Sequence, residues 1–189
     1  MIIEKFPNIL PNQINEKIIS FLIDSPHWRI TRDEGTRQQL QNNLLNTNNS
    51  DFGFNIQTFD EIHNLYLDSP LNLYAEMIYF IIKDKSKYKF LKPVRFFWNY
   101  YNKSSTSNFH TDMPHKNYIS FVYNLHNNSG GTEIINTKGE SEFFISNQSE
   151  AVVFPSYFSH RGHCSKNTTG RFNLNCIVEI ELKNENIKS

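Results

Sequence analysis

Three side chains in the C-terminal half of this chain have types and spacings suited to holding one metal ion. His110 and Asp112 flank a single threonine, and His160 follows in the run Phe154-Pro155-Ser156-Tyr157-Phe158-Ser159-His160. On an extended chain successive side chains alternate faces, so residues two apart point the same way. An imidazole nitrogen and a carboxylate oxygen then converge on one point, and a histidine from a distant strand completes one face of an octahedron. Two histidines and one carboxylate leave three positions open, a set that suits non-haem iron(II). His163, three residues past His160, is a rival for the third ligand. Arg171 lies eleven positions beyond His160. Its permanently charged fork is suited to gripping a carboxylate through two parallel hydrogen bonds. Asn173, two residues further along, shares that strand face and adds a hydrogen-bonding group.

Elements able to carry these residues are legible around them. Val94 to Tyr101 is nearly continuous in aromatic and β-branched residues and reads as a strand, and Tyr118 to Leu125 reads as a second. Shorter strands are expected at Thr132–Ile135, Glu142–Ile145, Ala151–Phe154 and from Arg171 to about Ile180. Gly130-Gly131 and Lys138-Gly139 punctuate them like turns. Upstream, Asn12 is placed to cap a helix from about Gln13 to Ile23, with Ile14, Ile18, Phe21 and Leu22 at helical spacing. Ser69 followed by Pro70 marks a second helix running to about Lys83. A short helix around Gln38–Leu45 and an exposed loop at Asn46–Asp51 fill the polar stretch between. Helices come first and strands after, so the class is α+β. The chain is read as one domain over 1–189, with 1–92 a mainly helical support and 93–182 a β-core.

Bulk composition narrows the function classes. At 189 residues with a mean hydropathy of -0.55, the chain is long enough to bury a core and polar enough to be soluble. Nineteen basic residues balance nineteen acidic ones, which argues against general attraction to nucleic acid or anionic membrane. The lysines between Lys83 and Arg95 are read as a solvated helix end rather than a phosphate site. Cys164 and Cys176, the two cysteines, are read as free thiols of a cytoplasmic protein. The N-terminal residues do not read as a signal peptide, so the Asn-x-Ser/Thr triplets at Asn48, Asn102, Asn127, Asn147 and Asn167 are expected to reflect composition rather than glycosylation.

From Phe96 to Ile180 the chain resembles the catalytic core of the iron(II)/2-oxoglutarate-dependent oxygenases, in their prolyl 4-hydroxylase-like branch. The resemblance rests on the ordered set His110-Thr111-Asp112, Gly130-Gly131, His160 and Arg171. It implies a double-stranded β-helix, or distorted jelly roll, with supporting N-terminal helices. It also implies iron(II), 2-oxoglutarate and dioxygen as reactants, with Arg171 binding the distal carboxylate of the oxoacid. Tyr101 or Tyr100, and Tyr123 before the Gly-Gly pair, match tyrosines that the family places near 2-oxoglutarate. The expected reaction is hydroxylation of a peptide, an amino-acid-like compound or another small substrate, with succinate and carbon dioxide released. Segments Met113–Asn117 and Arg32–Asn49 are the expected substrate loops, with His115, Lys116 and Asn117 as contacts. A non-oxygenase metal enzyme on a β-barrel (an isomerase or hydrolase) and a non-catalytic binding module on the same fold are the alternatives. Arg171 argues against the first and the intact ligand set against the second.

Overall fold

A computed structural model describes residues 2–31, 53–103, 105–166 and 170–182. The expected helix around Gln38–Leu45, the loop at Asn46–Asp51 and the substrate segment Arg32–Asn49 lie outside the described residues. The strands are β1 (Glu4–Phe6), β2 (Arg29–Thr31), β3 (Gly53–Asp60), β4 (Leu65–Tyr66), β5 (Phe90–Asn102), β6 (Tyr118–Asn124), β7 (Asn128–Ile135), β8 (Ser141–Ser146), β9 (Glu150–Pro155), β10 (Ser159–His163) and β11 (Gly170–Ile180). They form a major sheet ordered β1-β9-β6-β11-β5-β3-β2, with β4 attached to β3, and a minor sheet ordered β10-β7-β8. The strand pairs are antiparallel, and the two sheets stack as a jelly-roll double-stranded β-helix.

Among the described residues two helices cover the outer face of the major sheet. The first, α1 (Asn12–Ile23), buries Asn15, Ile18 and Leu22; it starts directly after Pro11, with Asn12 already helical and no side-chain cap. In α2 (Pro70–Lys85) the Ser69 hydroxyl accepts from the Leu71 amide, as the Ser-Pro pair predicts. Both helices pack on outward residues of the central strands, including Phe96, Trp98, Ile119, Phe121, Tyr123, Leu174, Cys176 and Val178. A second, smaller core of Val122, Ile134, Phe144, Val152, Phe154 and Phe158 fills the space between the sheets. Strict alternation along β5, β6 and β11 therefore divides each strand between a helix side and an inner side.

Three details differ from the sequence-based expectation. The N-terminal half supplies β1 to β4 as well as helices, and β3 pairs along most of β5. Strand β5 begins before Pro93, which sits at a bulge against Ile177 and Val178 where its missing N–H is tolerated. Gly130-Gly131 is not a turn but the irregular start of β7. A Cβ on Gly131 would lie 2.1 Å from the Phe144 carbonyl oxygen, so the close approach of β8 requires glycine there. Half of the basic stretch is paired: Lys89 meets Glu181, Lys92 meets Glu61 and Arg95 meets Asp60. Among the described residues no helix is long and apolar enough to cross a membrane. Both cysteines are buried, and neither forms a disulfide.

Candidate metal centre

Backbone pairing brings the two histidines together. The segment linking β5 to β6 crosses β10, and His110 and His160 exchange both backbone hydrogen bonds, at 3.0 and 2.9 Å. Directly opposed residues project to the same side of a ladder, which brings the imidazole centroids to 4.4 Å. Asp112 is fixed by its own amide, which donates to the Ser156 carbonyl. The ligand atoms of His110, Asp112 and His160 lie within 4.8 Å of one another. His160 is 4% exposed at its side chain and His110 47%, so the cluster opens to solvent on the His110 side.

The hydrogen bonds around the cluster orient its groups toward a cation. Nδ1 of His110 faces the Asn108 carbonyl at 3.0 Å, and Nδ1 of His160 faces the Phe158 carbonyl at 3.2 Å. A carbonyl only accepts, so each Nδ1 carries the proton and each Nε2 presents a lone pair. Nε2 of His160 is buried without a hydrogen-bond partner. Burial holds the His160 pKa below its usual value against the pull of Asp112. Burial also raises the Asp112 carboxyl, but the nearby histidines and hydrogen bonds from Ser120 and Asn175 outweigh it and hold it below the usual range. The Ser120 hydroxyl donates to Oδ2 of Asp112 at 2.5 Å, and Ser156 Oγ lies 2.9 Å from Ser120 Oγ. Two imidazoles whose Nδ1 atoms are tied to carbonyls and a carboxylate therefore converge with one buried nitrogen unmet, and this donor set fits a divalent first-row metal with open positions.

His163 is not part of the cluster. It falls on the outer face of β10, three positions from His160, where Nε2 lies 3.2 Å from Glu133 and Nδ1 lies 3.3 Å from the Thr106 hydroxyl.

Arg171 enters the space between the sheets from β11 and is 1% exposed. Its Nη1 donates to the Gly131 carbonyl at 2.7 Å, and Nη2 donates to Asn124 Oδ1 and Thr132 Oγ1 at 3.0 Å each. Nε is buried without a partner. No described carboxylate contributes to its charge balance, and burial pushes its pKa down to about 10, still cationic at neutral pH. Tyr101, its cross-strand partner, places its ring 5.7 Å from the guanidinium carbon. A Cβ on Gly162 would stand 2.7 Å from the Tyr101 hydroxyl oxygen, so glycine on β10 makes room for that ring. Tyr100 faces the other way and packs on Trp28 and Phe172.

Tyr123 requires a correction. It points to the helix side, where its hydroxyl donates to Asn15 Oδ1 of α1 at 2.5 Å. The residue of β6 that meets Arg171 is the next one, Asn124, because alternation puts Ser120, Val122 and Asn124 inward. Asn173 is inward and accepts from Asn99 Nδ2 at 3.2 Å. Asn175, which the sequence reading did not single out, lies beside Asp112. Its signal was present: the two-residue step from Arg171 to Asn173 leads next to Asn175. His115 and Lys116 are exposed, His115 with its ring 6.4 Å from that of Tyr118, while Asn117 donates to Glu179 at 3.5 Å.

Comparison with solved structures places this architecture. A prolyl hydroxylase of Trichoplax adhaerens, solved with a hypoxia inducible factor oxygen degradation domain peptide fragment, superposes with a TM-score of 0.67 at 9% identity, over 94% of this chain and 83% of that one. A 2OG-Fe(II) oxygenase family oxidoreductase of Burkholderia pseudomallei gives 0.66 at 15% identity, over 94% and 84%. The fold is that of the iron(II)/2-oxoglutarate oxygenases. A third protein with this oxygenase fold, HygX of Streptomyces hygroscopicus, was solved with nickel and 2-oxoglutarate bound and gives 0.62 at 8% identity, over 94% and 82%. No family model and no curated protein sequence matches the chain.

Proposed function

We propose that this protein is an iron(II)/2-oxoglutarate-dependent oxygenase that hydroxylates a peptide, an amino-acid-like compound or another small substrate. The observation that carries this reading is Arg171: a buried cation with no carboxylate partner among the described residues, on the same inner sheet face as the residue that touches the metal cluster. A buried charge without a counter-charge is strongly unfavourable, and a ligand carboxylate supplies one. Arg171 and Asn175 are four residues apart on β11, about 13 Å of strand, a span that the arginine arm shortens to the reach of a five-carbon diacid.

In this assignment His110, Asp112 and His160 hold the iron. Arg171 binds the distal carboxylate of 2-oxoglutarate, and Tyr101 bounds the pocket beside it. Asn124 and Thr132 orient the guanidinium, and Asn173 belongs to the pocket wall. When bound, iron and 2-oxoglutarate supply the oxidation of an unactivated C–H bond with dioxygen, the oxoacid leaving as succinate and carbon dioxide. His115, Lys116 and Asn117 border the approach to Asp112 and are the proposed substrate contacts; a peptide is the substrate class of the Trichoplax adhaerens neighbour.

The test is succinate formation from 2-oxoglutarate by the iron-loaded protein in air, screened against peptides, free amino acids and nucleosides. Succinate that depends on iron and is abolished by His160→Ala is the expected result. Metal-dependent turnover with no consumption of 2-oxoglutarate would point instead to a hydrolase or isomerase, and metal binding with no turnover to a binding module.

A further inference from the structure

Beyond Arg171, the inner face of β11 carries two amides in succession, Asn173 and Asn175. Their partners differ. Asn173 Oδ1 accepts from Asn99. Asn175 Nδ2 lies 3.5 Å from Asp112 Oδ2, while its Oδ1 is buried with no hydrogen-bond partner. The cross-strand neighbours of Asn175 are Phe97 on β5 and Val122 on β6, whose side chains have no polar atom. Oδ2 of Asp112 already accepts from the Ser120 hydroxyl, so the amide presents its donor Nδ2 to that oxygen and turns Oδ1 away. The unmet acceptor is then a fixed feature of the site, and burying it without a donor is unfavourable.

An occupied metal centre would supply a donor. Ser120 and Asn175 both address Oδ2 of Asp112, which leaves Oδ1 for the metal. Three protein ligands leave positions that water fills, and a cation polarises the O–H bonds of such a water into strong donors. The other inward amide oxygens near Arg171 are committed: Asn173 to Asn99 and Asn124 to Arg171. We infer that Asn175 is a positioning residue of the metal centre, steadying the Asp112 carboxylate through Nδ2 and accepting a hydrogen bond through Oδ1 from a water bound to the metal. A neutral amide suits the task, because it holds that water without taking its proton. This inference rests on the metal-centre part of the proposed function and not on 2-oxoglutarate.

Cobalt(II) provides a readout that requires no turnover. Metal-free protein is titrated with Co(II) and its visible absorption recorded, since intensity rises as coordination number falls. Wild type should give the weak spectrum of six-coordinate cobalt. Asn175→Leu keeps the branching and number of heavy atoms and removes both contacts; it should give the more intense spectrum of a lower coordination number and bind Co(II) about 10–100-fold more weakly, the usual effect of losing a group that supports a ligand. Asn175→Thr returns an oxygen acceptor and should move the spectrum back toward wild type. An Asn175→Leu protein with wild-type spectrum and affinity overturns the inference. If that variant fails to fold, the same comparison with Asn175→Ala decides the matter. Failure of the underlying reading looks different: wild type itself would take up no Co(II), or its uptake would survive His160→Ala.

Discussion

Buried polar atoms carry much of the information in this protein at the scale of single residues. His160 Nε2, Arg171 Nε and Asn175 Oδ1 all lack hydrogen-bond partners, and all belong to the inner space between the sheets or its metal cluster. Replacing Arg171 by lysine keeps the charge but loses the fork that reaches Gly131, Asn124 and Thr132. Hydrogen bonds to a charged group contribute about 1.5–3 kcal/mol. Arg171→Lys is therefore expected to weaken 2-oxoglutarate binding by about 10–150-fold, measured calorimetrically on the manganese-loaded protein, with manganese affinity itself unchanged. Equal 2-oxoglutarate affinity would remove Arg171 from the cosubstrate pocket. The ligands His110, Asp112 and His160 were legible in the sequence because type and spacing together are restrictive. Tyr123 misled because a tyrosine in a doubly buried strand carries no mark of which face it takes; that parity is set by its neighbours. Asn124 and Asn175 were open to discovery by stepping in twos from Arg171 and its partners, but asparagine is common in this chain and its type alone singles out no position.

Among the elements, the long central strands were legible and the short peripheral ones were not. Runs such as Val94–Tyr101 announce themselves by composition, whereas β1 and β4 have three and two residues and exist only because the sheet edge accepts them. In β3, Phe54, Ile56 and Thr58 alternate with Asn55 and Gln57, a period-2 signal that the neighbouring Asn- and Gln-rich stretch hid. A buried ion pair reinforces this strand. Asp60 is 1% exposed, opposite Arg95, and its Oδ1 accepts from the His63 amide at 3.1 Å. Burial raises the Asp60 carboxyl, but the His63 hydrogen bonds and the Arg95 charge outweigh it and hold it below its ordinary value of 3.8. A carboxyl with a lowered folded pKa contributes stability that is full above the unfolded value and is lost as pH falls through the folded one. Asp60→Asn should lower unfolding free energy by about 3–5 kcal/mol at neutral pH, because it leaves Arg95 without its partner. In urea titrations the gap between wild type and variant should narrow only below about pH 4. A gap independent of pH would show that shape, and not charge, holds β3 to β5.

The whole molecule gathers its site from both sheets. His160 comes from the minor sheet, Arg171 from the major sheet, and His110 and Asp112 from the segment that passes between them. A metal that binds only the closed arrangement stabilises it by mass action, about 2.7 kcal/mol at a hundredfold excess over its dissociation constant. Chelation should accordingly lower the melting temperature, and His160→Ala should abolish the difference between chelated and loaded protein. The hydrogen-bonded pairing of His110 with His160 has a further consequence, one of time. Because the main chain already aligns two of the three ligands, metal capture needs no search for a ligand-competent shape. Mixing metal-free protein with excess Co(II) in a stopped-flow instrument should give one exponential whose rate rises in proportion to cobalt concentration. A slow phase that ignores cobalt concentration would mean that this pairing forms only after the ion arrives.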